Sequence, residues 1–172
     1  MIKRLQYLPL ILAGLGGLGG LTLSQAALAQ SPPLSAYSDY QRSLVNKAMS
    51  GKDGAYEVSS LLARCHGIQS EFFYQRSRAV KITMDDVELY EEMTSQALRA
   101  GITSMVLIFN YQPRPDDYIN NISNKARDEV RPLLSNPSGR VDETVMEKLF
   151  ECKRIAGVSD YMLSLRDNAA AK

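Results

Sequence analysis

Histidine is almost absent from this chain, since His66 is the only one among 172 residues. A metal site built from several histidines is therefore excluded. Di-iron carboxylate bundles need paired Glu-x-x-His motifs, and His66 has no glutamate three positions before it. A c-type haem needs Cys-x-x-Cys-His, whereas Leu62 stands three positions before Cys65. A b-type haem held by His66 and one methionine stays open. Its formal candidates are Met93, Met105, Met146 and Met162.

Motifs for nucleophilic catalysis are also lacking. No Gly-x-Ser-x-Gly turn occurs, and the neighbours Cys65 and His66 would point about 100° apart on a helix, which prevents a nucleophile–base pair. Paired carboxylates could still support a hydrolase. The candidates on predicted helices are Glu57, Glu71, Glu88, Glu91 and Glu92. Solvated helix faces explain such acidic residues without chemistry, so the sequence assigns no catalytic residue, metal ligand or cofactor.

The chain has no excess of either charge. It carries 20 Lys and Arg against 19 Asp and Glu, and removal of Lys3 and Arg4 with a leader peptide would leave 18 against 19. Nucleic-acid binding usually needs a strongly basic surface. The balance therefore argues against a nucleic-acid partner and against attraction to an anionic membrane surface.

The beginning of the chain has the three-part pattern of a secretory signal peptide. Lys3 and Arg4 precede an uncharged stretch at 5–23, and Ala27 and Ala29 form the small-x-small pair that a signal peptidase reads. We expect cleavage after Ala29, which gives a signal peptide at 1–29. A retained anchor is the alternative, but five glycines weaken the stretch as a span. No second stretch of this kind follows, so no membrane span is expected after cleavage.

Two cysteines remain after the leader, Cys65 and Cys152. Export to an oxidising compartment favours a disulfide between them, because only one intramolecular pairing is possible. Two buried free thiols are the alternative. Both cysteines fall on the inner stripe of a predicted helix, which favours the disulfide.

Apolar residues recur at helical spacing through the rest of the chain, with no convincing strand pattern. We expect an extended segment at 30–36, a single helical domain at 37–167 and a frayed C-terminus at 168–172. The fold class is all-α: a four-helix bundle with a short N-terminal accessory helix, stapled by one disulfide. The four main helices should start near Asp53, Thr83, Asp116 and Asp142.

Three details of these helices follow from proline, glycine and spacing. The helix that begins at Thr83 should be the longest. Pro132 predicts a break or kink near Val130, because proline lacks the backbone N–H that a helix needs. The apolar pattern weakens at Gly157, which predicts a kink or a separate final turn capped by Ser159.

One segment is apolar on every side of its helix, and it consists of Met105, Val106, Leu107, Ile108 and Phe109. Such a segment is either buried all round or docked on a partner, and burial is the commoner outcome. We predict a periplasmic or secreted protein that acts through contacts with another envelope or extracellular protein, as an accessory, adaptor or inhibitor. The alternatives are a bundle that binds a small apolar ligand or b-type haem, and a carboxylate-based hydrolase.

Overall fold

Helices make up almost all of the described chain. The computed structural model describes residues 33–79, 84–134 and 141–170. A 3-10 helix at Leu34–Ala36 precedes α1 (Asp39–Met49), α2 (Lys52–Ala79), α3 (Met84–Ile108), α4 (Pro115–Leu134) and α5 (Glu143–Ala170). No strand occurs in these three ranges. The predicted all-α class is confirmed, while the predicted leader with Ala27 and Ala29 lies outside the described residues.

A capping box fixes the start of α1. The Ser38 hydroxyl accepts a hydrogen bond from the Gln41 backbone N–H at 3.3 Å, and the Gln41 side-chain oxygen accepts from the Ser38 N–H at 3.0 Å. Two backbone donors that a helix start leaves unpaired are satisfied in this way. Just before this cap, the prediction of an extended segment at 30–36 is wrong for Leu34–Ala36. These residues form a 3-10 helix, in which the Tyr37 N–H donates to the Leu34 carbonyl.

The central helix of the molecule is α2, which packs against each of the other four helices. The Ser59 hydroxyl donates to the carbonyl of Ser104 at 2.8 Å, and His66 meets the carbonyl of Ala97 at 2.8 Å. Residue numbers rise along α2 as they fall along α3, so these two helices are antiparallel. The predicted helical bundle is confirmed. Its other helices pack around α2, which is the central helix.

α4 runs parallel to α2 and lies unusually close to it. The Ser123 hydroxyl donates to the carbonyl of Ala63 at 2.9 Å. A Cβ atom on Gly67 would lie 2.3 Å from the Ser123 carbonyl oxygen. Only glycine therefore permits this separation of the two backbones.

A disulfide between Cys65 and Cys152 joins α2 to α5, as predicted. Both cysteines are buried, and their Cα atoms are 5.3 Å apart. Leu62, Ile68 and Ile155 belong to the same apolar core. Within the described ranges, no helix is both long and apolar enough to span a bilayer.

The structure corrects three predicted helix boundaries or lengths. α2 begins at Lys52, so Asp53 lies in the first turn and does not cap the helix. α4 begins at Pro115, because proline suits the first helical position, where no N–H partner is needed. α3 has 25 residues and is shorter than α2 and α5, which have 28 each. Thr83 itself lies outside the described residues.

α4 continues through Pro132 to Leu134, and the break expected near Val130 does not occur. Pro132 is exposed in the last turn of the helix, where it removes one backbone hydrogen bond. Val130 is fully buried on the inner stripe together with Ala126. Packing of that stripe therefore outweighs the loss of one terminal hydrogen bond.

α5 is also continuous, from Glu143 to Ala170, so no separate final turn exists. Its start is as predicted, since the Asp142 carboxylate accepts from the Thr144 N–H at 2.8 Å. At Gly157 a Cβ atom would lie 2.7 Å from the Gln41 side-chain nitrogen. Gly157, where the apolar pattern weakens, thus lets α1 pack on α5. Ser159, the predicted cap of a final turn, is instead buried within α5. Residues 168–170 belong to α5, and fraying of the C-terminus stays a prediction.

Candidate interaction surface

The structure divides the apolar segment at 105–109 into buried and exposed residues. Ile108 is fully buried where α2, α3 and α4 meet, and Met105 and Leu107 are partly buried beside it. Val106 is 38% exposed and Phe109 is 70% exposed. The prediction that the whole segment is buried is therefore confirmed for Ile108, and it is wrong for Val106 and Phe109.

Phe109 is exposed because α3 ends one residue before it. Residues 109–111 form a turn in which the N–H groups of Tyr111 and Gln112 both donate to the Ile108 carbonyl at 2.9 Å. These bonds satisfy a carbonyl that a helix end otherwise leaves unpaired. The helical spacing that predicted burial no longer applies once the chain leaves the helix.

Tyr56 on α2 holds this turn, and Tyr118 on α4 packs against Tyr56. The Tyr56 hydroxyl on α2 lies 3.2 Å from the Tyr111 carbonyl and 3.0 Å from the Gln112 side-chain oxygen. The Tyr56 ring meets the Tyr118 ring of α4 edge to face, with centroids 5.3 Å apart. The Tyr118 hydroxyl lies 3.0 Å from the hydroxyl of Ser60. The turn is therefore tied to α2 by Tyr56, whose ring is in turn supported by α4, and the sequence pattern did not reveal this contact.

We call Val106, Phe109 and Tyr111 the α3-end surface. All three side chains are exposed. The chain has no charged residue between Arg99 and Arg114, so the segment that carries these three side chains is uncharged. Depletion of charge and enrichment in aromatic residues are typical of the centre of a protein interface.

His66 is oriented by the backbone of α3. Its Nδ1 atom lies 2.8 Å from the Ala97 carbonyl oxygen, which can only accept, so Nδ1 carries the hydrogen. Burial lowers the pKa of His66, the bond to Ala97 opposes this change, and the nearby Arg127 guanidinium lowers the pKa further. The described residues that line the groove beside His66 include Phe73 and Leu98 but none of the four candidate methionines.

Glu71 is the most buried of the candidate carboxylates whose side chains the structure describes, and its side chain is 5% exposed. Arg131 on α4 donates to both of its oxygens, at 2.8 and 3.3 Å, and Gln75 donates at 2.8 Å. Burial alone would raise the pKa of Glu71, but these hydrogen bonds and the charges of Arg131 and Arg127 lower it. Glu71 is therefore an ionised link between α2 and α4.

The other described candidate carboxylates lie on the surface. Glu57 pairs with Lys47 on α1, and Glu91 and Glu92 are exposed on α3. Among the side chains that the structure describes, no three of His, Cys, Asp or Glu are placed to hold a metal ion.

No protein-family model, curated protein or solved structure matches this chain. The functional assignment therefore depends on the chain's own residues.

Proposed function

We propose that this is an exported helical protein that binds another envelope or extracellular protein through the α3-end surface. It would act there as an accessory, adaptor or inhibitor. The observation that carries the proposal is Phe109, a large apolar side chain 70% exposed on a turn that Tyr56 of α2 holds in place. Aromatic residues of this kind are the anchors of many protein interfaces.

The fixed turn favours binding for an energetic reason. Ordering a mobile loop opposes association, and a loop that is already ordered avoids that loss. Tyr56 holds the turn in the free protein, and Tyr118 packs edge to face against the Tyr56 ring. Burial of one phenylalanine side chain contributes roughly 2 kcal/mol, so Phe109 would bind more strongly from this turn than from a flexible one.

Export is supported by the disulfide together with the signal pattern in the sequence. Structural disulfides are typical of the periplasm and the extracellular space and are rare in the cytosol. The Cys65–Cys152 bond joins two buried residues of the core. N-terminal sequencing of the protein from its native source should therefore begin at Gln30, and a chain that still carries residues 1–29 would contradict cleavage.

Affinity capture from the native envelope and extracellular fractions tests the contact. Phe109→Asp should abolish capture of the partner, because a carboxylate would be buried in an apolar interface. Leu98→Asp is the matched control, since Leu98 is a similarly exposed apolar residue that lies on α3 outside the α3-end surface. Both variants should melt like the wild type. Loss of folding in Phe109→Asp, or equal capture by the two variants, would contradict the proposal.

A further inference from the structure

A second concave feature lies between α2, α3 and α5, away from the α3-end surface. It is a groove of about 200 Å³. Its apolar lining consists of Phe72, Met93, Met146, Leu149 and Phe150. The Phe150 side chain is 61% exposed, so a large aromatic face meets water at the edge of an apolar depression. Concave apolar sites with a few polar groups are typical of small-molecule binding.

Hydrogen bonds link the polar groups on the α2 and α3 walls to one another. The Gln69 side-chain nitrogen donates to the Gln96 oxygen at 3.2 Å. The Gln96 nitrogen in turn donates to the Glu92 carboxylate at 2.8 Å. This chain of bonds engages the one acidic group of the described lining.

The α5 wall differs, because it carries an unpaired cation. Lys153 lines the groove, and it has no hydrogen-bond or ion-pair partner among the described residues. It directly follows Cys152, and the disulfide holds this part of α5 against α2. The described lining thus combines an apolar floor, a Glu92 carboxylate that accepts from Gln96, and the Lys153 ammonium group on the opposite helix, which the disulfide fixes in place.

We propose that this groove binds a free single-chain carboxylate, a medium-chain fatty acid anion. The chain would lie over Met93, Met146 and Leu149, and Phe150 would cover it from the α5 side. The carboxylate would pair with the Lys153 ammonium group, the type of charge-assisted contact that is stronger than a neutral hydrogen bond.

The size of the groove sets the length of the chain. At about 30 Å³ for a group the size of a water molecule, a volume of about 200 Å³ holds roughly seven such groups. A carboxylate of eight to ten carbons would therefore fill the groove and leave its last groups at the open edge. The methionines suit a flexible chain, because their side chains adapt to irregular shapes.

Isothermal titration calorimetry with decanoate below its micellar concentration tests the site on the purified protein. Decanol and decyltrimethylammonium serve as neutral and cationic probes with the same chain. We expect decanoate to bind with 1:1 stoichiometry and about tenfold more tightly than decanol, as one charge-assisted contact implies. Decyltrimethylammonium should bind more weakly than decanol.

Two exposed side chains provide variants that leave the fold intact. Lys153→Gln should weaken decanoate about tenfold and leave decanol unchanged. Lys148→Gln is the matched control, because it removes the same charge from α5 outside the described lining of the groove. Phe150→Ala should weaken decanoate and decanol alike by about fivefold, whereas Leu98→Ala should change neither.

Four results would overturn the proposal. They are the absence of decanoate binding, tighter binding of decyltrimethylammonium than of decanoate, equal effects of Lys153→Gln and Lys148→Gln, and binding only to vesicles of fatty acid. Each would show that the groove does not hold the monomeric anion in the orientation set by Lys153. Capture of a protein partner would be unaffected by any of them, because Phe109 lies outside the groove.

Discussion

At the scale of single residues, the buried Glu71 carboxylate depends on Arg131. Arg131→Met would leave that carboxylate with Gln75 alone, and an unsatisfied buried charge destabilises the folded state. We expect the urea midpoint at pH 7 to fall by about 1 M, a moderate change because Arg131 is half-exposed. Adding Glu71→Gln should restore part of the loss, and an unchanged midpoint in Arg131→Met would contradict the link.

His66 should make stability depend on pH in a mildly acidic window. Its pKa in the folded protein is below the ordinary 6.5, so the unfolded chain takes up the proton first. Stability is then complete above about pH 6.5 and falls as the pH drops towards the folded pKa. Asn at this position can still donate to the Ala97 carbonyl but does not titrate. Urea unfolding at pH 7.5 and 5.5 should show a smaller decrease for His66→Asn than for the wild type.

The sequence predicted residues whose role depends on local spacing, and it missed those that depend on tertiary contacts. Asp142 precedes an apolar stripe as a cap should, and Cys65 and Cys152 lie on inner stripes. Exposure of Phe109 depends on where α3 ends, which the Tyr56 contact helps to set. Burial of Glu71 depends on a partner 60 positions away, and helical spacing carries no information about such a pair.

At the scale of helices, Gly67 controls the approach of α4 to α2. Replacement of glycine by alanine inside a helix usually stabilises it by about 0.5–1 kcal/mol. Here the added Cβ would lie 2.3 Å from the Ser123 oxygen, so Gly67→Ala should reduce the free energy of unfolding by about 2 kcal/mol. Ser70→Ala on the same helix is the control and should change it by less than about 0.5 kcal/mol. A stabilising Gly67→Ala would show that the helices are farther apart.

The helices themselves were predictable to within a few residues, but their interruptions were not. Pro132 and Gly157 are the residues that usually end a helix, yet α4 and α5 continue through them. Pro132 lies in a last turn whose inner stripe is buried, and Gly157 leaves room for Gln41 of α1 and for Tyr37 just before α1. In both places tertiary packing outweighs local preference, and packing partners cannot be read from spacing alone.

At the scale of the whole molecule, the disulfide should supply a large part of the stability. It joins residues separated by 87 positions, and a loop of that size corresponds to about 4–5 kcal/mol in the loop-entropy model. Domains of this size are typically stable by about 5–15 kcal/mol. Cys65→Ala with Cys152→Ala should therefore bring the protein close to unfolding at 37 °C, as measured by thermal melting. A melting temperature that reductant does not change would contradict this role.

The arrangement of the molecule also explains why one end of it is suited to a partner. α2 buries its surface against its neighbours, and the α3–α4 turn is tied to it by Tyr56. The apolar side chains of the α3-end surface remain outside this core. The proposed function depends on whether that surface is covered in the cell.

Photo-crosslinking in the native host measures most directly whether a partner covers the α3-end surface. A photoreactive phenylalanine analogue at position 109 should give one discrete adduct with another envelope or extracellular protein. The same analogue at position 150, which is similarly exposed, should not give that adduct. The absence of an adduct from position 109, or the same adduct from both positions, would contradict a partner site at the end of α3.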